Sequence, residues 1–130
     1  MIVLVSAATT KSLFERLGGE AAVEAAVVDF YEKVMSDPSL SPFFAHLNMD
    51  AQIKKQIAFM TMAFGGPNHY TGKDLRTAHA KLVAGGLHDA HFDAIAEHLR
   101  VTLEELGVDA GTTTEVLDIV GMTRGDVLNR

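Results

Sequence analysis

His79 stands in the stretch Leu75–Arg76–Thr77–Ala78–His79–Ala80–Lys81–Leu82–Val83. Wound at about 100° per residue, this stretch places Leu75, Leu82 and Val83 within about 60° of the imidazole. A neutral imidazole in an apolar stripe is either a core group satisfied by a carbonyl or hydroxyl, or a metal ligand walled off from water. Upstream, Gln52 and Gln56 share an apolar arc with Met49, Ile53, Phe59 and Met60, so both amides point inward. Tyr31 lies between Val27 and Val34 on the apolar side of its own helix. Burying an amide or hydroxyl without a partner costs about 1–3 kcal/mol, so something polar must meet these groups.

The elements that carry them are helical throughout. Ser12 and Glu15 form a capping box that opens a short helix ended by Gly18–Gly19. From Glu20 to about Ser36, Val23, Val27, Phe30, Val34 and Met35 recur at helical spacing until Asp37–Pro38 stops them. Ser41–Pro42–Phe43–Phe44 predicts a single turn. A helix follows from Met49 to Phe64, with Asp50, Lys54 and Thr61 on its outer side and Lys55 at the rim. Gly65–Gly66–Pro67 ends it, and Asn68 to Asp74 reads as an ordered loop before the short helix bearing His79. The next helix runs from about His88 to Leu106, with Phe92, Ile95, Leu99, Leu103 and Leu106 on one side. The last opens at Thr112 with Glu115 three residues on and frays near Arg130. No alternating stretch calls for a strand, so the fold class is all-α, with helices stacked in two layers around a pocket.

Composition narrows the chemistry. At 130 residues the chain is one domain, read as an extension at 1–10 followed by a domain at 11–130. Cysteine is absent, which excludes disulfides, iron–sulfur clusters and thiolate zinc. With 11 basic and 17 acidic residues the net charge is −6, and no basic stripe points to nucleic acid. The apolar run Met1–Val5 is too short for a membrane span or a signal peptide, so a cytoplasmic protein away from membranes is expected. His88 and His91, three residues apart, have no evident third ligand for a metal site of their own.

One histidine on one helix, three hydrogen-bonding side chains across a gap and phenylalanines around them fit a haem held by a single imidazole. A closed network of Tyr31, Gln52 and Gln56 with no ligand remains the alternative at this point. The stretches Leu17–Gly18–Gly19, Val28–Asp29–Phe30–Tyr31, Pro42–Phe43–Phe44, Asn48–Met49, Lys55–Gln56, Phe64–Gly65–Gly66, Tyr70–Thr71–Gly72, Ala78–His79 and His91–Phe92 then carry a family likeness. In order and spacing, over roughly residues 12 to 120, the sequence resembles the group I truncated haemoglobins, a shortened globin family with a two-over-two helical sandwich around haem b.

The resemblance implies that His79 is the proximal iron ligand and that Tyr31, Gln52 and Gln56 are the distal groups that hydrogen-bond a diatomic ligand. It implies that Phe44 stacks on the haem and that Phe43, Phe59, Tyr70, Leu75, Leu82 and Phe92 contact it or wall the pocket. Lys55 either meets a haem propionate along the cofactor edge or, as in some relatives, swings in as a sixth iron ligand. A lysine must shed its proton before it can ligate, so that state is favoured as pH rises. Some relatives tie the haem to a histidine on the last helix; this chain has none after His98, so a non-covalent, extractable haem is expected.

The activity implied is binding of O2, NO and CO by a monomer, with nitric oxide dioxygenation supported by an external reductase or electron donor. Oxygen transport is less favoured, because strong distal donors slow release. A six-coordinate redox or sensor protein closed by Lys55 is the second expectation, and a cofactor-free helical interaction module the third.

Overall fold

The computed structural model describes residues 12–66 and 75–130. The proposed extension at 1–10, the loop from Asn68 to Asp74 with His69 and Tyr70, and the side chain of Leu75 lie outside the described residues. Among the described residues every regular element is a helix: α1 Leu13–Leu17, α2 Glu20–Ser36, α3 Ser41–Phe44, α4 Met49–Ala63, α5 Leu75–Ala84, α6 Asp89–Glu105, α7 Ala110–Met122 and α8 Arg124–Val127.

Two pairs of long helices form the frame. In one layer α2 packs on α4; in the other α6 packs on α7; and α2 crosses onto α6 to join them. The seam is filled by Val23, Val27, Phe30 and Val34 of α2, Met60 of α4, Leu99 and Leu103 of α6 and Val116 of α7, all buried. These are the helical-period positions of the sequence, and burying each aliphatic or aromatic side chain stabilises the fold by about 1.5–3 kcal/mol. A smaller cluster of Leu87, Phe92, Val127 and Leu128 closes the far end, with Leu82 and Phe43 packed against it.

The capping box at Ser12 is present: its hydroxyl accepts from the Glu15 amide at 3.1 Å, and the Glu15 carboxylate accepts from the Ser12 amide. The Phe14 amide then donates to the Phe64 carbonyl at 2.8 Å, pinning α1 over the end of α4. That approach requires Gly66. A Cβ there would stand 2.8 Å from both the Phe14 ring and the Thr61 methyl. It also corrects the outer-face assignment of Thr61, which is buried under this crossing.

Three further boundaries differ from the sequence expectation. The last long helix begins at Ala110, because the Asp109 carboxylate accepts from the Thr112 amide at 2.9 Å and takes the cap that Thr112 was expected to provide. Thr123 interrupts it, and α8 forms a separate turn. Leu106, at the end of the α6 stripe, is 44% exposed, since the helix has already ended at Glu105.

Candidate functional site

Between the α2/α4 layer, α5 and the inner side of α6, α7 and α8 lies a cavity of about 880 Å³. Its size falls in the roughly 300–1,000 Å³ range of cofactor and ligand pockets. Tyr31, Gln52, Lys55, Gln56, Phe44, Phe59, His79, Leu82 and Phe92 all line it, so residues spread over five helices converge on one space. Phe43 does not line it. Its ring packs edge-on against His91, centroids 4.8 Å apart, and against the cluster that holds Phe92.

The buried Tyr31 hydroxyl accepts a hydrogen bond from the Gln52 side-chain amide at 3.3 Å. The phenolic oxygen is thus oriented by an acceptor contact, which leaves its own proton to donate into the cavity. Burial raises the Tyr31 pKa from its ordinary 10, with Gln52 opposing, so the group stays protonated and a donor. Gln56, one turn on from Gln52, lines the same cavity. His79, half-buried, enters it from α5, which also contributes Lys81 and Thr77.

Several lining residues were not read as cavity wall from the sequence. Ile119, Val120, Thr123 and Val127 form the wall from α7 and α8, and Ile95 and Leu99 that from α6. Their helical period marks them as inward-facing, but periodicity alone does not distinguish a cavity wall from a solid core. Lys54, expected on the outer side, also borders the cavity, beside Lys55 at the mouth.

Of the other described histidines, His46 also borders the cavity, and the remaining three are used elsewhere. His88 caps α6: its Nδ1 accepts from the Ala90 amide at 3.2 Å, while Nδ1 of His91 accepts from the His88 amide at 3.1 Å. Both rings therefore spend Nδ1 as an acceptor, the tautomer opposite to the one that binds a metal through Nε2 with Nδ1–H. His98 Nε2 lies 2.7 Å from the Asp37 carboxylate, joining α6 to the end of α2. Among the described residues no three His, Cys, Asp or Glu side chains come together as a metal cage.

The His79 imidazole on α5, a cavity with largely apolar walls, hydrogen-bond donors on the α2/α4 side and cationic side chains at the mouth suit a flat, mostly apolar macrocycle that brings its own metal and its own anionic edge. Such a pocket, enclosed by two layers of helices without strands among the described residues, defines a small haem protein of the two-over-two globin type.

Comparison with known proteins agrees. The profile of the bacterial-like globins matches residues 12–129. A group 1 truncated hemoglobin of Tetrahymena pyriformis is 44% identical over 120 residues, covering 92% of this chain and 97% of that protein. The group 1 truncated hemoglobin GlbN of Synechocystis is 45% identical over 122 residues, covering 92% and 98%. Among solved structures, the 2/2 hemoglobin of a Synechococcus, in the cyanomet state with covalently attached heme, is 50% identical and superimposes with a TM-score of 0.89 over 92% of this chain and all of that one. The chain belongs to the bacterial-like globin family, as a group 1 truncated haemoglobin. Its cofactor is haem b, non-covalent in a chain with no histidine after His98 to carry an attachment on the last helix. No described helix is long and apolar enough to cross a membrane.

Proposed function

We propose that the protein binds diatomic ligands at a haem anchored by His79 and that its reaction is nitric oxide dioxygenation. The observation that carries this reading is the Tyr31–Gln52 pair, a buried donor oriented in the cavity that His79 enters from α5. When bound, the haem supplies the conversion of dioxygen and nitric oxide to nitrate, and an external electron donor restores the ferrous state.

The residues of the chain do the rest. Tyr31 donates its phenolic proton toward the ligand site, Gln52 fixes the direction of that proton, and Gln56 adds a second amide within reach. Each aimed donor holds a partly negative ligand by roughly 1 kcal/mol and slows its escape. Phe44, Phe59, Leu82 and Phe92 exclude water and fill the space around the macrocycle. Tyr70 and Leu75 belong to the same proposed wall. Support comes also from the Tetrahymena pyriformis protein, whose structure has been determined with a tyrosine changed to phenylalanine and with each of two glutamines changed to glutamate. The first of those glutamines follows the tyrosine by 21 positions, the separation of Tyr31 and Gln52 here.

Lys55 carries a second reading. It borders the cavity one residue before Gln56; in this reading its amine either meets a propionate or enters as a sixth ligand in a redox or sensing protein. The protein is read as a cytoplasmic monomer that takes O2, NO and CO and is served by a reductase.

One experiment addresses both readings. The reduced protein equilibrated with oxygen is mixed with nitric oxide, nitrate is measured, and oxygen dissociation is followed in wild type and Tyr31→Phe. The expected result is stoichiometric nitrate, and oxygen release about tenfold faster or more in Tyr31→Phe. Absence of nitrate overturns the dioxygenation reading; a low-spin ferric spectrum that grows with pH and vanishes in Lys55→Ala establishes the six-coordinate one.

A further inference from the structure

The helix that bears His79 is not held mainly by the four long helices. Among the described residues the principal packing partner of α5 is α8, the short turn near the end of the chain. The contacts between them are directional. The Arg76 guanidinium donates to the Asp126 carboxylate at 3.3 Å and to the Arg130 carbonyl at 2.8 Å. In return the Asn129 side-chain amide donates to the Arg76 carbonyl at 3.1 Å. Asn129 reaches that carbonyl from a left-handed backbone, φ 57°, the one non-glycine residue with positive φ among the described residues. Asparagine tolerates this conformation better than most residues.

The same turn is fastened to the rest of the molecule at its other side. Arg130 grips both oxygens of Asp89 at 2.8 Å, and Arg124 spans Asp89 and Asp93 at 2.9 and 2.5 Å. The Arg124 guanidinium also lies over the ring of Phe92, 4.4 Å from its centroid. Phe92 lines the cavity, and Val127 and Leu128 are buried beside it.

We propose that residues 124–130 act as a clasp that positions His79: Arg76 and Asn129 lock the first turn of α5 to a turn that is itself anchored on α6, and so fix where the imidazole enters the cavity. Isolated exposed ion pairs contribute little. This one differs because three hydrogen bonds in two directions meet at one residue, three positions before His79, on a helix whose principal packing partner is the turn that supplies them. Arg76 and Asn129 are positioning residues; they act through the histidine and touch neither haem nor ligand. The inference rests on the reading of His79 as the axial ligand.

The test uses the haem-loaded full chain in five variants. Arg76→Met keeps the stem and helix propensity but removes the fork; Asn129→Gly keeps the left-handed backbone but removes the amide. Arg16→Met, which breaks the Arg16–Glu115 pair far from α5, controls for general loosening of the surface. His79→Gly reports whether the axial reading holds. Two quantities are followed: transfer of haem to an apomyoglobin scavenger, and the iron–histidine stretching band of the ferrous protein in resonance Raman. The expected result is haem loss about tenfold faster, with a shifted or broadened band, in Arg76→Met and Asn129→Gly. Arg76→Lys, which restores a point charge without the fork, should fall between. Wild-type loss rates and an unmoved band in both clasp variants overturn the proposal, as do equal changes in Arg16→Met. A band that persists in His79→Gly overturns the axial reading and the clasp with it.

Discussion

Two polar pairs show how one kind of contact serves different ends in different surroundings. Tyr31 and Gln52 meet inside the cavity, where burial keeps the phenol neutral and its proton available. Asp37 and His98 meet near the surface, and there the carboxylate is held down to about 2, mainly by His98 and then by the Ser39 hydroxyl and amide. A carboxylate whose folded pKa lies below its ordinary 3.8 contributes stability that is present above that value and is lost as pH falls through about 2. Asp37→Asn removes the ionisable group while keeping its shape. The expected outcome is a flatter acid limb: between pH 4 and 2 the stability of Asp37→Asn should fall less steeply than that of wild type, measured by urea unfolding at each pH. Equal slopes would mean that the pair is not formed in solution. His98 sits on α6 and Asp37 closes α2, so this residue-scale contact also fixes the end of the helix that bears Tyr31.

At the scale of elements, α6 begins on an unusual cap. Histidine at the N-cap presents a neutral Nδ1 to the Ala90 amide, and His91 returns the contact to the His88 amide. A carboxylate accepts the same bond more strongly and complements the positive end of the helix. His88→Asp should therefore stabilise the protein by up to about 1 kcal/mol, seen as a rise of roughly 2–5 °C in Tm, whereas His88→Ala should lower it; a fall in both would show that the imidazole is held by packing against His91, 4.3 Å between centroids. Elements with strong local signals were legible in the sequence: the Ser12–Glu15 box, the stop at Asp37–Pro38 and the turn at Pro42 stand where the pattern put them. The misplacements share a cause. Thr112 with Glu115 reads as a capping box, yet Glu115 is drawn away to Arg16 across 99 positions, which leaves Asp109 to cap α7. Thr61 is buried because α1 crosses over Gly66. Each depends on a distant partner that no helical period encodes. The converging set of His79, Tyr31, Gln52 and Gln56 was legible because polar side chains on apolar arcs are conspicuous, whereas the apolar wall from α7 and α8 looks like any other core.

For the whole molecule, the cavity divides the fold into a part that closes on itself and a part that depends on what fills the space. The seam of α2, α4, α6 and α7 is packed side chain on side chain, with Val27, Val34 and Val116 each 1% exposed. The helix α5 packs chiefly on α8 and faces a cavity of about 880 Å³, which in a protein this small is far too large to be spanned by side chains alone. Haem therefore completes the core on that side and binds the folded chain in preference to the unfolded one. Mass action then adds about 4 kcal/mol to stability when free haem exceeds its dissociation constant a thousandfold. The loss on removal should not be uniform. Haem-free protein should keep most of its helical circular dichroism and slow amide exchange in α2, α6 and α7, while Tm falls by more than about 10 °C. Exchange should accelerate first in α5 and α8, the two elements whose main partner is each other. Faster exchange spread evenly over all the helices would mean instead that the cavity is integral to a single cooperative unit, and that the four long helices do not hold together without the cofactor between them.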